Sequence, residues 1–345
     1  MNRPLILLFL ASFAAETATA APCTDIQVKI SQLSTILAHK DHRTARLMLS
    51  TLLASHSECP ALTLAAARLA SIRGESNEAQ RLFGKYLRDE PDSISGRSYL
   101  ARFLMSQENY AQAYTLSSDI LTLDPKQSTA LAVHGQLLLL KGQTEVGMAE
   151  LTHAVRLDPD DVEARYQLGV ECDQLRRPKD VVEQMEQVVK LDHDNPSAWD
   201  YIALGREALG LIDRAEDAYK QGMSVNFKGP DFDYFLDYNY GRFLAKRNRQ
   251  FDSIGHLDRA VQLVPDVRAV WYERAKVYLE LGEYTKARSD GEKAESLTDQ
   301  TGGVADLQIY VLLEKIYQRL GMKDLALKYA ELSRNALLPR LTDER

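Results

Sequence analysis

The sequence predicts an all-α fold, a right-handed α-solenoid of about nine helix-turn-helix repeats of 34 residues each. Three observations carry that expectation. Pro91, Pro125 and Pro159 recur at intervals of 34 residues, each behind an acidic residue: Glu90, Asp124 and Asp158. Counting each proline as position 32 of a unit puts position 20 on Ala45, Ala79, Ala113, Gly147, Val181, Ala215, Ser253, Ala287 and Ala326. Eight of these nine are Ala, Gly or Ser, where composition alone gives roughly a quarter. Position 8 reads Ala67, Ala101, Gly135, Gly169, Ala203, Gly241 and Ala275 through the seven central units, and both tryptophans, Trp199 and Trp271, fall on position 4. Self-similarity at a fixed period marks a stacked array in which no unit buries its apolar face alone.

The composition suits such an array and excludes other classes. The 345 residues are 45% hydrophobic and 26% charged, an ordinary globular balance. Only 18 glycines and 11 prolines argue against collagen-like or low-complexity sequence. A net charge of −7 argues against a nucleic-acid binder, which normally carries a basic face.

Residues 1–20 read as a secretory signal peptide. Arg3 supplies the positive n-region, Leu5 to Ala15 the apolar h-region, and Ala18-Thr19-Ala20 the cleavage site. The h-region is shorter than the ~20 apolar residues of a membrane-spanning helix, so no integral span is expected after cleavage. Ala20-Ala21-Pro22 ahead of Cys23 does not suit a lipidation box. The mature chain is expected to be exported, periplasmic or extracellular, a setting in which disulfides persist. Cys23 precedes a helical pattern beginning near Asp25, and Cys59 follows one ending near Ser55. In an antiparallel hairpin those two points lie side by side, so a Cys23–Cys59 bridge is expected. Cys172 falls on an apolar helix face as a core residue.

Beyond the first hairpin, the units follow in register. Repeats 1–6 are expected over residues 21–229 and repeats 7–9 over residues 230–340, with a tail at 341–345. Short insertions at Pro230–Asp233 and Gly302–Asp306 are the only breaks in the count. Gly74, Gly142, Gly210, Gly282 and Gly321 mark turns inside hairpins, and each acidic-Pro pair separates one hairpin from the next, because Pro cannot continue a helix. The end units depart from the pattern, with Leu33 and Glu314 at position 8, as caps with one exposed face would. The last helix must cover its outer face with Lys328, Glu331 and Arg334, or dock on a partner.

At these diagnostic positions, from Ile26 to about Arg340, the chain resembles the tetratricopeptide repeat family. That resemblance implies a surface built by the first helix of each unit, chiefly through positions 2, 5, 9, 12 and 13. Those positions carry Arg68 and Arg102 early, and Arg242, Lys246, Lys276, Lys315 and Arg319 late. Between the two groups lie Glu163, Asp173, Asp200 and Glu207. A cation ladder suits an extended acidic peptide or a C-terminal carboxylate. Aromatics concentrate at the same end: the stretch FDYFLDYNYGRF, from Phe232 to Phe243, holds six aromatics in twelve residues. Helical phase puts Tyr240 and Phe243 in the packed seam, and Phe235, Tyr238 and, one unit later, Tyr272 on the groove, where tyrosine is a favoured interface anchor. The candidate partner-binding set is therefore Phe235, Tyr238, Arg242, Lys246, Tyr272, Lys276, Lys315 and Arg319, with Arg68 and Arg102 as a secondary site. The family's carboxylate clamps need a Lys/Asn set over three adjacent units, and the matching asparagines are absent here.

No catalytic reading competes. G-x-S-x-G, H-E-x-x-H, C-x-x-C and a phosphate-binding loop are all missing from the sequence. His39 and His42 flank Asp41 in a turn, too few ligands for a fixed metal site, and no cofactor is expected. The function expected is a non-catalytic scaffold that binds a protein or peptide segment in envelope assembly or secretion. The alternatives are a glycan- or cell-wall-binding module and a structural homo-oligomer.

Overall fold

The structure is a computed structural model that describes residues 23–39, 41–226, 234–298 and 303–342. The leader, the insertion at Pro230–Asp233, Phe232 and Gly302 lie outside the described residues. The chain divides into two compact units, Met1–Asp161 and Val162–Arg345. Among the described residues of the first unit, four hairpins follow one another: α1 (Gln27–Ala38) with α2 (His42–Ser55), α3 (Pro60–Ile72) with α4 (Ser76–Asp89), α5 (Ile94–Ser106) with α6 (Tyr110–Leu123), and α7 (Ser128–Leu140) with α8 (Thr144–Leu157). The second holds five: α9 (Val162–Gln174) with α10 (Pro178–Leu191), α11 (Pro196–Ala208) with α12 (Ile212–Val225), α13 (Tyr234–Ala245) with α14 (Gln250–Leu263), α15 (Arg268–Glu280) with α16 (Tyr284–Ser296), and α17 (Asp306–Arg319) with α18 (Lys323–Thr342). Each unit is thus an all-α stack of hairpins.

Local chemistry starts these helices where the repeat predicts. Ser93, Gln127 and Asn195 cap α5, α7 and α11 by accepting a backbone N–H from Gly96, Ala130 and Ala198. Pro60, Pro178 and Pro196 occupy first helical positions, where no N–H is needed. Trp199 and Trp271 donate from Nε1 to the carbonyls of His193 and Pro265, tying each first helix to the turn before it.

Small residues at positions 8 and 20 allow the two helices of a hairpin to touch. A Cβ on Gly135 would lie 2.9 Å from the Gly147 carbonyl oxygen, and one on Gly147 would lie 2.7 Å from that of Gly135. Ser253 keeps the close approach by donating from its hydroxyl to the Gly241 carbonyl at 2.8 Å. Val181, the one large residue in the position-20 column, is accommodated from the next helix. There Gly205 occupies a place where six of the other repeats carry Leu, Phe, Val or Ile, and a Cβ on it would meet Val182 at 2.8 Å.

Every described turn within a hairpin, from that after α3 onward, needs one left-handed residue. Gly74, Gly142, Gly210, Gly282 and Gly321 supply it with φ between 71° and 78°. Glu108, Arg176 and Asn248 supply it in the other three hairpins, with φ of 59°, 54° and 56°. A side chain in that region costs about 1–2 kcal/mol, except for Asn, which visits it readily. Arg176→Gly is therefore expected to raise stability by about 0.5–1 kcal/mol after the entropy cost of glycine is subtracted. A urea titration of the whole chain checks this, and an unchanged midpoint would mean the turn carries no strain.

Cys23 and Cys59 are bridged, with Cα atoms 5.7 Å apart. Both are buried in the cluster of Ile26, Leu33, Leu37, Leu49, Leu52 and Leu62 that forms the first hairpin's core. Cys172 is a buried free thiol whose pKa burial pushes up, which keeps it protonated and inert. At the other end, Asp306 belongs to α17 rather than to the preceding insertion. Buried Arg268 holds that connection: its guanidinium donates to the Ala294 carbonyl at 3.0 Å and to the Asp306 carboxylate at 2.6 Å. The last helix, α18, leaves Leu327 67% exposed, so Lys328, Glu331 and Arg334 do not hide all of its apolar surface.

Candidate functional site

In the second unit the first helices α9, α11, α13, α15 and α17 are successive neighbours. Side-chain contacts from one to the next define the surface they share. Asn239 of α13 donates to the Asp200 carboxylate of α11 at 2.8 Å. Lys246 of α13 reaches Glu207 of α11 at 3.0 Å, with Arg247 3.8 Å from the same carboxylate oxygen. Arg242 of α13 lies 3.9 Å from Glu273 of α15, and Lys276 of α15 binds the other oxygen of Glu273 at 2.9 Å. Positions 5, 6, 9, 12 and 13 of consecutive units therefore meet on one face, as helical periodicity requires.

The charges on this face are interlocked rather than segregated. Glu207, assigned by the sequence to a separate acidic stretch, is the counter-ion of Lys246, and Glu273 serves both Arg242 and Lys276. These pairs are partly exposed, so each contributes little to stability. Their consequence is electrostatic: Arg242, Lys246 and Lys276 already have partners within the chain. Lys315 and Arg319 on α17 are exposed and make no ion pair among the described residues. The candidate cations thus fall into two groups that sequence position could not distinguish.

The aromatic residues divide in a similar way. Tyr240 and Phe243 are buried, as their phase predicts, and stack around fully buried Tyr219. Tyr238 is half-buried against Ala260, Val261 and Val270, and desolvation pushes its hydroxyl up to about 12, helped by nearby Glu273. Its ring carries the Arg242 guanidinium 5.3 Å from the centroid. Tyr272 repeats the arrangement with Lys276 Nζ at 5.3 Å, and burial likewise raises its hydroxyl pKa. Such cation–π contacts orient both partners. Phe235 is 47% exposed at the edge of this patch, with Tyr234 stacked on it at 4.2 Å.

Arg68 and Arg102, the secondary candidates, are engaged within the first unit. Arg68 donates to Ser34 at 3.0 Å and lies 4.0 Å over the Tyr99 ring. Desolvation pulls its pKa below the usual guanidinium value. Arg102 binds the buried Asp161 carboxylate through two nitrogens. Both arginines reach residues outside their own hairpin but within that first unit, and neither is an unpaired cation.

The sequence offered no signal for one feature beside the candidate patch. Asp237 lies one residue from Tyr238, yet it is fully buried and held by His256 at 2.9 Å and Arg259 at 2.6 Å from α14. It fixes α13 against α14. Among the described residues no group of three or more His, Cys, Asp and Glu is placed to hold a metal ion, and no helix is long and apolar enough to cross a membrane.

Comparison with known proteins agrees with this fold. The tetratricopeptide repeat family pattern matches residues 244–300. The DnaJ homolog subfamily C member 7 homolog of Dictyostelium discoideum is 24% identical over 202 residues, which are 59% of this chain and 33% of the relative. The chain therefore spans about a third of the length of that curated relative. Among solved structures, a chain of the APC/C hetero-tetramer Cut9–Hcn1 is similar with a TM-score of 0.69 at 14% identity, over 84% of this chain and 55% of that one. PilF of Pseudomonas aeruginosa is similar with a TM-score of 0.51 at 17% identity, over 65% of this chain and 98% of its own. At these identities the likeness is one of fold.

Proposed function

Because this chain is a tetratricopeptide repeat protein, we propose that it is a non-catalytic, exported scaffold that binds an extended protein segment along the first-helix face of its second unit. Proteins of this fold bind protein partners, and their repeats present side chains at regular intervals to an extended chain. The observation that carries the reading is the repeated aromatic–cation motif on that face. Tyr238 with Arg242 and Tyr272 with Lys276 share one geometry one repeat apart, flanked by exposed Phe235 and by Lys315 and Arg319, which make no ion pair among the described residues. The tyrosines supply rigid contact area at low entropy cost, and the cations supply orientation. The Cys23–Cys59 bridge supports an oxidising compartment, in line with the leader read at residues 1–20. An envelope-assembly or secretion accessory is the setting proposed.

The test uses two cations that make no ion pair among the described residues, Lys315 and Arg319. Lys315→Glu with Arg319→Glu removes no ion pair among those residues, so the melting temperature should hardly move. Like charge against an acidic segment costs several kcal/mol, so affinity for captured partners should fall at least about tenfold. Affinity capture from the native envelope with wild-type and doubly substituted protein, read by mass spectrometry, compares the two. Equal recovery of the same partners would move the binding surface elsewhere. Mass measurement of the purified chain tests the leader: a mature N-terminus at Ala21 is expected.

A further inference from the structure

The first-helix face of the second unit has a built-in polarity. In the middle of the face each cation has an acid partner: Glu207 at position 12 of α11 meets Lys246 at position 13 of α13 at 3.0 Å, and Glu273 at position 6 of α15 serves Arg242 at 3.9 Å and Lys276, three residues on, at 2.9 Å. Glu280, at position 13 of α15, stands opposite Ala245 by the same count and accepts from Gln250 at 2.9 Å. The corresponding places at the two ends hold no partner. On α9 the position-12 residue is Asp173, and the next helix offers Ala208 at position 13. On α17 the position-13 residue is Arg319, and the preceding helix offers Leu279 at position 12. Lys315, at position 9 of α17, has Leu312 at position 6. Asp173, Lys315 and Arg319 are all exposed, and among the described residues none makes an ion pair.

We infer that the bound segment is bipolar and docks in one orientation, its cationic end at Asp173 on α9 and its anionic end at Lys315 and Arg319 on α17. The inference rests on the proposal that this face binds an extended segment. A purely acidic segment would meet Glu207 and Glu273, which already neutralise the central cations, and would end on Asp173. A segment with opposite charges at its ends meets an opposite charge at each end and an aromatic centre whose cations are already paired. Partial desolvation raises the Asp173 carboxyl pKa with no nearby cation to lower it, so a ligand cation there would relieve a cost already present. The span is four helix-to-helix steps of about 8–10 Å, or about 32–40 Å. An extended chain covers that distance in about twelve residues at ~3.3 Å each. Charge complementarity of this kind sets direction and excludes wrong partners more than it adds affinity.

The experiment uses the full mature chain and synthetic peptides of about twelve residues with blocked ends. One peptide carries lysines at one end and aspartates at the other around a central aromatic. A second has the same composition interspersed, and a third has aspartates at both ends. The bipolar peptide is expected to bind at least about tenfold more tightly than either of the others. Asp173→Lys, an exposed substitution that breaks no ion pair among the described residues, should turn the preference toward the peptide acidic at both ends. A photoreactive residue beside the lysine end should label α9 and not α17. Peptides that bind without regard to charge arrangement, or a preference that Asp173→Lys leaves intact, would overturn the polarity while leaving the groove as the binding surface. If no peptide binds, and partner capture is indifferent to Lys315→Glu with Arg319→Glu, both the polarity and the groove reading are overturned.

Discussion

Replacing Cys23 and Cys59 together by serine is expected to destabilise the first hairpin by about 4 kcal/mol and to leave later hairpins nearly untouched. The bridge closes a loop with a sequence separation of 36, and the loop-entropy relation puts its contribution near that value. The effect should stay local because a stacked array is stabilised by neighbour terms. Among the described residues the first hairpin packs against one neighbouring hairpin, and its Val28 and Leu47 are 73% and 59% exposed. The hydrogen bond between His56 and Asp25, at 2.9 Å on the surface, cannot replace the covalent link. Hydrogen exchange followed by mass spectrometry should show α1 and α2 losing protection while α5 to α8 keep theirs. Uniform loss across the unit would show that the repeats unfold as one block.

The second large effect is expected at the closest helix contact. Gly147→Val should cost about 3 kcal/mol or more, at the upper end of what overpacking usually does. The new Cβ would meet the Gly135 carbonyl oxygen at 2.7 Å and the Leu139 amide nitrogen at 3.0 Å. Both are backbone atoms, so no rotamer change relieves the clash and the α7–α8 crossing must open. Gly255→Ala is the control: its Cβ meets nothing within 4 Å in the middle of α14. That substitution should gain about 0.5–1 kcal/mol from helix propensity. Urea denaturation of both variants reads the difference, and a Gly147→Val midpoint equal to wild type would refute the close-contact account.

The two glycines of that contact were legible before any coordinates. A small residue every 34 positions leaves a visible column, because two helices cannot approach unless both lack bulk at the crossing. The disulfide was legible for a related reason, since a hairpin necessarily returns its chain to its start. The turns were legible only in part. Glycine marked five of them, but Glu108, Arg176 and Asn248 hold the same left-handed conformation without announcing it. Asn248 visits that region readily, whereas the surrounding stack imposes the geometry on Glu108 and Arg176, which do not prefer it.

Charge was the least legible property. Asp237 and Tyr238 are adjacent in a run of aromatics, yet one is fully buried in an ion-pair network and the other lies half-buried on the candidate face. Helical phase predicts which way a side chain leaves its own helix. It does not say what the neighbouring helix brings to meet it.

Periodic pattern alone was enough for the repeated hairpins, the close crossings and the Cys23–Cys59 bridge, because each depends on spacing along one chain. Which cations are paired depended on residues far apart in sequence, such as Lys246 and Glu207 or Arg102 and Asp161. An ion pair forms only within about 4 Å, and only the packed helices bring those groups that close.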